Sequence, residues 1–498
     1  MKSDGTNSFW LAVQYLSTLL ISFITIKLNM MHFGNELFGM WIALTSLWTM
    51  GTALDLGFGL AVIKHISGSR RNNNIEETNA IVTNAFIVFI IIGLIVLLGG
   101  IYLSFILYYL NEDFVSIKNR DIAIWLVPIM GINFLFQYLS IFFRSVFEGL
   151  NYFSISSKLG IIYNLMILLA VMFVTIFDLS LIELTLMYSF SSCITLITFI
   201  IILRKRFQEI KIKHHLLSMS EIKRMFSFSI HIQISSIFSA LFDPIIKYIL
   251  GSYSSLSIIT FYEIARKFAI SLSGLFYASF RTFIPKSSVL VSKTEYEQYI
   301  LKEGVKLSNY GILYSGIVFG ILSIIIISII QLWFGYEEII LLYLILAIPE
   351  ALNTMGYSIY IFLLGIGKAF LLAIIQLINL SFVVIMLLIS YHYYDSYSGL
   401  FGLTLSVILS FILMIVYCKR ILGLQVVDYL KRIYLFRINA LIILMLVSYL
   451  SVKYSDFNLY VVISIISLFS MILNFRLIRN YGIEIFLLFK DKIGNKNL

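Results

Sequence analysis

The amino-acid sequence predicts an all-α polytopic membrane protein of about 14 transmembrane helices: two like-oriented six-helix lobes around a central cavity, plus two C-terminal helices. Three observations predict it. The 498 residues are 60% hydrophobic and 12% charged, whereas a soluble domain is about 25% charged, and mean hydropathy is +0.96. Apolar runs of about 20 residues, long enough at 1.5 Å per residue to cross hydrocarbon, recur along the chain. The basic residues collect between alternate runs, as they do in a protein that crosses a bilayer repeatedly.

The runs can be taken in order. The first, 9–31, is longer than a signal-peptide core and no A-x-A-like site follows it, so it reads as a retained span. The second, 38–66, carries Gly51, Gly57 and Gly59, residues that let a helix bend or approach a neighbour. Runs at 79–110, 122–143, 155–177 and 182–203 complete a first set of six. The longest inner connection follows. Runs at 226–250, 256–284, 308–330, 340–364, 369–391 and 400–418 form a second set, and two shorter ones lie at 438–452 and 458–475. The organisation read from these runs is an N-terminal lobe at 1–203, a basic linker at 204–225, a second lobe at 226–418, and two extra helices with a basic tail at 419–498.

An even number of spans puts both ends of the chain on one side. The loops and tails on that side hold 27 of the 36 Lys and Arg, the opposite loops hold Lys118, Arg120 and Lys453, and six lie within the runs. This asymmetry predicts cytoplasmic termini. The net charge of +10 then reflects orientation and anionic headgroups, and nucleic-acid binding is excluded for want of a basic soluble domain.

The two sets of runs repeat at an offset of 215–221 residues. Gln14 matches Gln233, Lys27 matches Lys247, Gly34 matches Gly251, Pro128 matches Pro349, Gly149 matches Gly365 and Asn164 matches Asn379. Six spans per repeat keep both copies in one orientation, related by an axis along the membrane normal.

Several chemistries are missing. No phosphate loop occurs, because GIGKAF at 365–370 has too few residues between its glycines, and no H-E-x-x-H occurs. His214 and His215 lie in the basic inner loop, and His65 ends the second run. Cys193 and Cys418 fall in apolar runs, as buried small residues do.

The charges inside the runs are the candidate site, since each costs about 2.5–3.5 kcal/mol at the bilayer centre even on the lenient insertion scale. Lys27 and Lys64 are near run ends and within reach of headgroups. Asp55 falls in the middle of the second run. In FDPIIK, Asp243 precedes Pro244 and is four residues from Lys247, on the same helix face. The sequence EIARK puts Glu263, Arg266 and Lys267 on one face, with Arg281 about four turns further along. Glu350 follows Pro349 near mid-membrane. A basic stripe suits an anionic ligand such as a phosphate or pyrophosphate, and a buried acid beside freed carbonyls suits a proton or Na⁺, with Asp243 the foremost position.

The run FGNELFGMWIALTSLWTMGTALDLGFGLAVIKHISGSR resembles the N-terminal signature of the polysaccharide flippases (Wzx type) of the multidrug/oligosaccharidyl-lipid/polysaccharide exporter superfamily. ILGSYSSLSIITFYEIARKF looks like its second-repeat counterpart, and FIPKSS resembles the end of its eighth span. The resemblance implies a flippase, not an enzyme, in the bacterial cytoplasmic membrane. It would carry an undecaprenyl-diphosphate-linked oligosaccharide, such as an O-antigen unit, outward by ion-coupled alternating access, with polysaccharide polymerase machinery as a partner. It also implies diphosphate contacts at Lys27, Arg266, Lys267 and Arg281, and a coupling-ion site at Asp243 with polar partners at Asn379 and Thr404. Asp55, Glu263 and Glu350 remain cavity acids. The alternatives are a drug/cation antiporter of the same superfamily, for which a more acidic cavity is expected, and a membrane polysaccharide polymerase, for which a large outer loop is expected.

Overall fold

The computed structural model describes residues 2–53, 58–71, 74–109, 117–280, 293–366, 368–393 and 398–422. The expected spans at 438–452 and 458–475 lie outside the described residues, as do Asp55 and Arg281. Among the described residues the secondary structure is helical throughout. This is the outcome hydrocarbon imposes on a chain of this composition, because a helix satisfies its own backbone hydrogen bonds where no water can.

The elements run α1 (Lys2–Ala53), α2 (Phe58–Arg71), α3 (Ile75–Tyr109), α4 (Ile117–Gly149), α5 (Phe153–Ile176), α6 (Leu181–Arg206), α7 (Met219–Tyr253) and α8 (Leu256–Phe280). There follow α9 (Lys293–Tyr299), α10 (Val305–Tyr314) and α11 (Gly320–Trp333), joined by the π-helical segments Ile300–Gly304 and Ser315–Phe319. Last come α12 (Glu337–Gly365), α13 (Ala369–Tyr393) and α14 (Phe401–Tyr417). Eight of the described helices are long and apolar enough to cross a membrane, so the chain is a multi-pass membrane protein.

The first two expected spans meet inside α1, which continues through Gly34 at φ 75° and ψ 169°. An L side chain at a positive φ is strained, and a glycine is not. No atom lies within 4 Å of where a Cβ would stand on Gly34, so the requirement is conformational and not one of packing.

The described residues fall into two compact units, one ending at Thr260 and the other beginning at Phe261. This division is one helix beyond the 204–225 connection, because α7 packs on α1, α2 and α3. In the first unit α3 lies along α4, α4 along α6, and α1 along α5. An aromatic seam joins α3 to α4, with Phe89 4.8 Å from Tyr138 and 5.5 Å from Phe142, centroid to centroid. In the second unit α10 packs on α12. Gly311 of α10 lies directly against the Thr354 carbonyl, leaving no room for a Cβ. Ser308 bonds Ser358 at 2.5 Å in the same seam.

The connection from α6 to α7 is held down along its length by three buried polar residues of α3. The Asn79 amide donates to the Glu209 carbonyl at 3.1 Å, and its oxygen accepts from Lys211 N at 2.8 Å. The Thr83 hydroxyl accepts from Lys213 N at 3.0 Å. Asn84 accepts from Ser218 N and donates to the Leu216 carbonyl, both at 2.9 Å. Arg70 pairs with Glu209 at 2.7 Å, and Arg224 reaches Glu77 at 3.5 Å. Backbone groups turned toward the protein need such partners.

Replacing Gly34 by Ala is expected to destabilise the protein by about 1–2 kcal/mol, because the helix break needs a left-handed residue; a thermal unfolding series in detergent measures it. Asn84→Ala leaves the Ser218 amide and Leu216 carbonyl without their partner, and a loss of about 1–3 kcal/mol is expected by the same measurement.

Candidate functional site: charges within the apolar helices

Most of the described candidate charges sit on long helices rich in apolar residues. In the first unit Lys27 is half-buried on α1, and Lys64 is exposed on α2. On α7, Lys247 Nζ lies 2.6 Å from Asp243 Oδ2, with the two side chains 4% and 15% exposed. The i,i+4 spacing and Pro244 keep both on one side of one helix. Each charge compensates the other's loss of water, and removing one partner would leave an uncompensated buried charge.

In the second unit α8 repeats the motif. Lys267 Nζ lies 3.6 Å from Glu263 Oε1. Arg266 is half-buried beside them. On α12, Glu350 is half-buried, and the Ser273 and Tyr277 hydroxyls of α8 hydrogen-bond to its carboxyl group. Arg266 is the charged residue that acts on it. The grouping therefore spans two helices, with hydroxyls of α8 on an acid of α12 and Arg266 acting on that acid electrostatically. Tyrosines continue it along α12, with the Tyr357 ring 4.6 Å from Tyr277 and 6.0 Å from Tyr360.

Asn379 of α13 donates its amide to the Ser410 hydroxyl of α14. Its oxygen is buried without a hydrogen-bond partner, and so is the Thr404 hydroxyl of α14. Both hold lone pairs that a proton donor or a cation could use. Among the described residues no three His, Cys, Asp or Glu side chains gather as metal ligands.

The structure thus joins Asp243 to Lys247 and Glu263 to Lys267, and sets Glu350 against hydroxyls of α8 within the electrostatic influence of Arg266. Ser273, Tyr277 and Tyr357 belong to the last grouping and escaped the reading of charges alone. A signal for the first two existed, because residues 266, 273 and 277 follow heptad spacing and share one face of α8. A second unforeseen feature lies in the first unit. Gln137 of α4 donates to the Tyr163 hydroxyl of α5 at 2.8 Å, and Ser192 of α6 donates to Asn133 of α4 at 2.6 Å. Neutral residues carry this network, and they are common enough in any helix to raise no flag.

The same fold occurs in solved flippases and transporters. These include the lipid II flippase MurJ in an inward closed conformation (TM-score 0.68, 16% identity, covering 95% of this chain and 99% of that one). An inward-facing multidrug resistance MATE family transporter of the MOP superfamily matches at TM-score 0.65 and 12% identity, covering 86% and 98%. A MOP superfamily transporter from Pyrococcus furiosus, described as having a binding pocket of reverse polarity, matches at 0.56 and 12%, covering 88% and 96%. At these identities the likeness establishes the fold. The family model described as polysaccharide biosynthesis protein matches residues 5–291, more than half of the chain, and the protein belongs to that family of MOP-superfamily flippases. No curated protein matches the chain at a significant level.

Substituting Lys247 by Met leaves Asp243 buried beside an apolar chain, and a destabilisation of about 3–5 kcal/mol is expected. The double change Asp243→Asn with Lys247→Met should restore most of it. Denaturation midpoints of the two variants in the same detergent decide the comparison.

Proposed function

We propose that the protein moves an undecaprenyl-diphosphate-linked oligosaccharide, an O-antigen or similar surface-polysaccharide unit, from the inner to the outer leaflet of the bacterial cytoplasmic membrane. Both termini face the cytoplasm, the cycle is ion-coupled alternating access, and no covalent chemistry is performed. The two six-helix sets at 1–203 and 226–418 act as its lobes, with 204–225 as their linker and 419–498 as an appended pair of helices. The chain delivers its cargo to polysaccharide polymerase machinery.

The observation that carries this reading is the grouping on α8 and α12. Arg266 and Lys267 are basic residues on an apolar helix of a polysaccharide-family flippase fold, and each lies within reach of an acid. A diphosphate arriving there meets a lysine already paired with a carboxylate and a guanidinium whose planar donors suit its oxygens. Lys27 and Arg281 complete the anion contacts in this proposal.

The coupling ion is H⁺ or Na⁺. Asp243 is paired through Oδ2 with Lys247 at 2.6 Å, so in this proposal that oxygen takes an ion only after releasing the lysine. Glu350, whose hydroxyl partners come from a second helix, needs no such exchange within its own helix. Asn379 and Thr404 offer neutral oxygens to the same ion, and Asp55 and Glu263 act as further cavity acids.

Arg266→Ala is expected to slow flipping about ten- to a hundredfold, the equivalent of one charge-assisted hydrogen bond, with a smaller loss for Lys267→Ala. A proteoliposome assay scoring protease- or lectin-accessible glycan of the lipid-linked unit measures both. Unchanged flipping in the two variants would remove this grouping from the substrate path. In cells, deletion should strand the unit on the cytoplasmic leaflet; units that still reached the outer face but stayed unpolymerised would establish the polymerase alternative, and loss of cationic-drug efflux alone would establish the antiporter.

A further inference from the structure

The connection between α6 and α7 has two sides of different character. One side is committed to α3. Glu209, Lys211 and Lys213 present their backbone groups to Asn79 and Thr83 in alternation, as an extended chain does. Phe207 and Ile210 are each 6% exposed, and the Phe207 ring meets Phe147 at 5.7 Å and Tyr152 at 4.9 Å. The segment is therefore a strap fixed to the first unit.

The other side is open. Ile212, Leu217 and Met219 are exposed at 36%, 45% and 67%. Just before them stand Arg204, Lys205, Arg206 and Lys211, all exposed. Glu209 is the strap's one acid, and Arg70 neutralises it at 2.7 Å. Apart from that paired acid, these exposed charges are positive, and they lead directly into the large apolar side chains. The strap also begins where α6, a span of 26 residues, leaves the membrane, so its open side lies at headgroup level.

We propose that this strap is a docking surface for anionic lipid. Ile212, Leu217 and Met219 enter the headgroup region, and Arg204, Lys205, Arg206 and Lys211 hold the phosphates of anionic lipids. Basic residues near an anionic leaflet are attracted to it, and large apolar residues beside them add burial that charge alone does not supply. Because Asn79, Thr83 and Asn84 hold the strap to α3, lipid bound there is bound to the first unit as a rigid piece. The occupant is a lipid surface, since apolar side chains this exposed at a span end face headgroups before they face a soluble partner. The inference is independent of the glycolipid reading.

The experiment places bimane at position 212 (Ile212→Cys, with Cys193 and Cys418 changed to Ser and Ala) in the full chain, reconstituted in vesicles. Quenching by brominated phosphatidylglycerol is compared with quenching by brominated phosphatidylcholine at equal density. About twofold stronger quenching by the anionic lipid is expected, falling to parity when Lys205, Arg206 and Lys211 are all changed to Gln. Equal quenching by the two lipids in the unmodified strap would overturn the anionic preference. No quenching by either would overturn the lipid surface altogether and leave the face to water or an acidic protein. Fluorescence of the same label in detergent, compared between the parent and the Gln variant, separates a failure of folding from a loss of lipid contact.

Discussion

The structure depends on one constraint, that a charge or a backbone polar group in hydrocarbon must find its partner within the protein. The backbone meets the constraint by being helical, which is why a chain of this composition forms long helices. The side chains meet it by pairing. Asp243 with Lys247 and Glu263 with Lys267 do so at i,i+4 spacing on a single helix. Such pairs need no other helix to form and enter the bundle already neutralised. Arg266 and Glu350 belong to different helices, and their association exists only once α8 and α12 are packed. The two kinds of pairing differ in what breaks them. An intrahelical pair survives any rigid movement of its helix, whereas an interhelical grouping responds to movement and to a competing ion.

The distinction bears on how a flippase can work on an anionic lipid. A cavity lined by unpaired bases would bind its cargo strongly and release it slowly, and it would be expensive to keep dry. A base that already has a carboxylate partner is cheaper to keep away from water than a lone one. The hydroxyls of Ser273 and Tyr277 hydrogen-bond to the Glu350 carboxyl group, so the protein itself solvates that acid. The neutral network of Asn133, Gln137, Tyr163 and Ser192 in the first unit meets the same constraint with amides and hydroxyls, which hold helices α4, α5 and α6 together without any charge.

The membrane boundary is handled by different means. The α6–α7 connection leaves the hydrocarbon but is not surrendered to water, because Asn79, Thr83 and Asn84 take up its backbone groups and Phe207 and Ile210 bury its apolar side. A connection fixed in this way moves with the first unit. α7, which follows it, belongs to that unit and packs on α1, α2 and α3.

Much of the fold was legible in the amino-acid sequence, because its determinants are local. Run length and hydropathy specify the spans, and the i,i+4 spacing of Asp243 with Lys247 and of Glu263 with Lys267 specifies pairs that form within one helix. Gly34 was visible as a repeat position, yet its role as the left-handed break joining two spans in α1 was not, because a glycine's φ depends on what its neighbours' packing demands. The groupings made between helices were hidden for the same reason. The contact of Glu350 with Ser273 and Tyr277 joins residues more than 70 positions apart, and the clamp of Asn79, Thr83 and Asn84 on residues 209–218 joins residues about 130 apart. The sequence by itself determined the helices, their passage through the membrane and the pairs within each helix, since those follow from periodicity and transfer energy. Tertiary structure alone decided which acid meets which base across helices and where a connection is tied down, since distance between helices is a property of packing and leaves no mark at any fixed spacing along the chain.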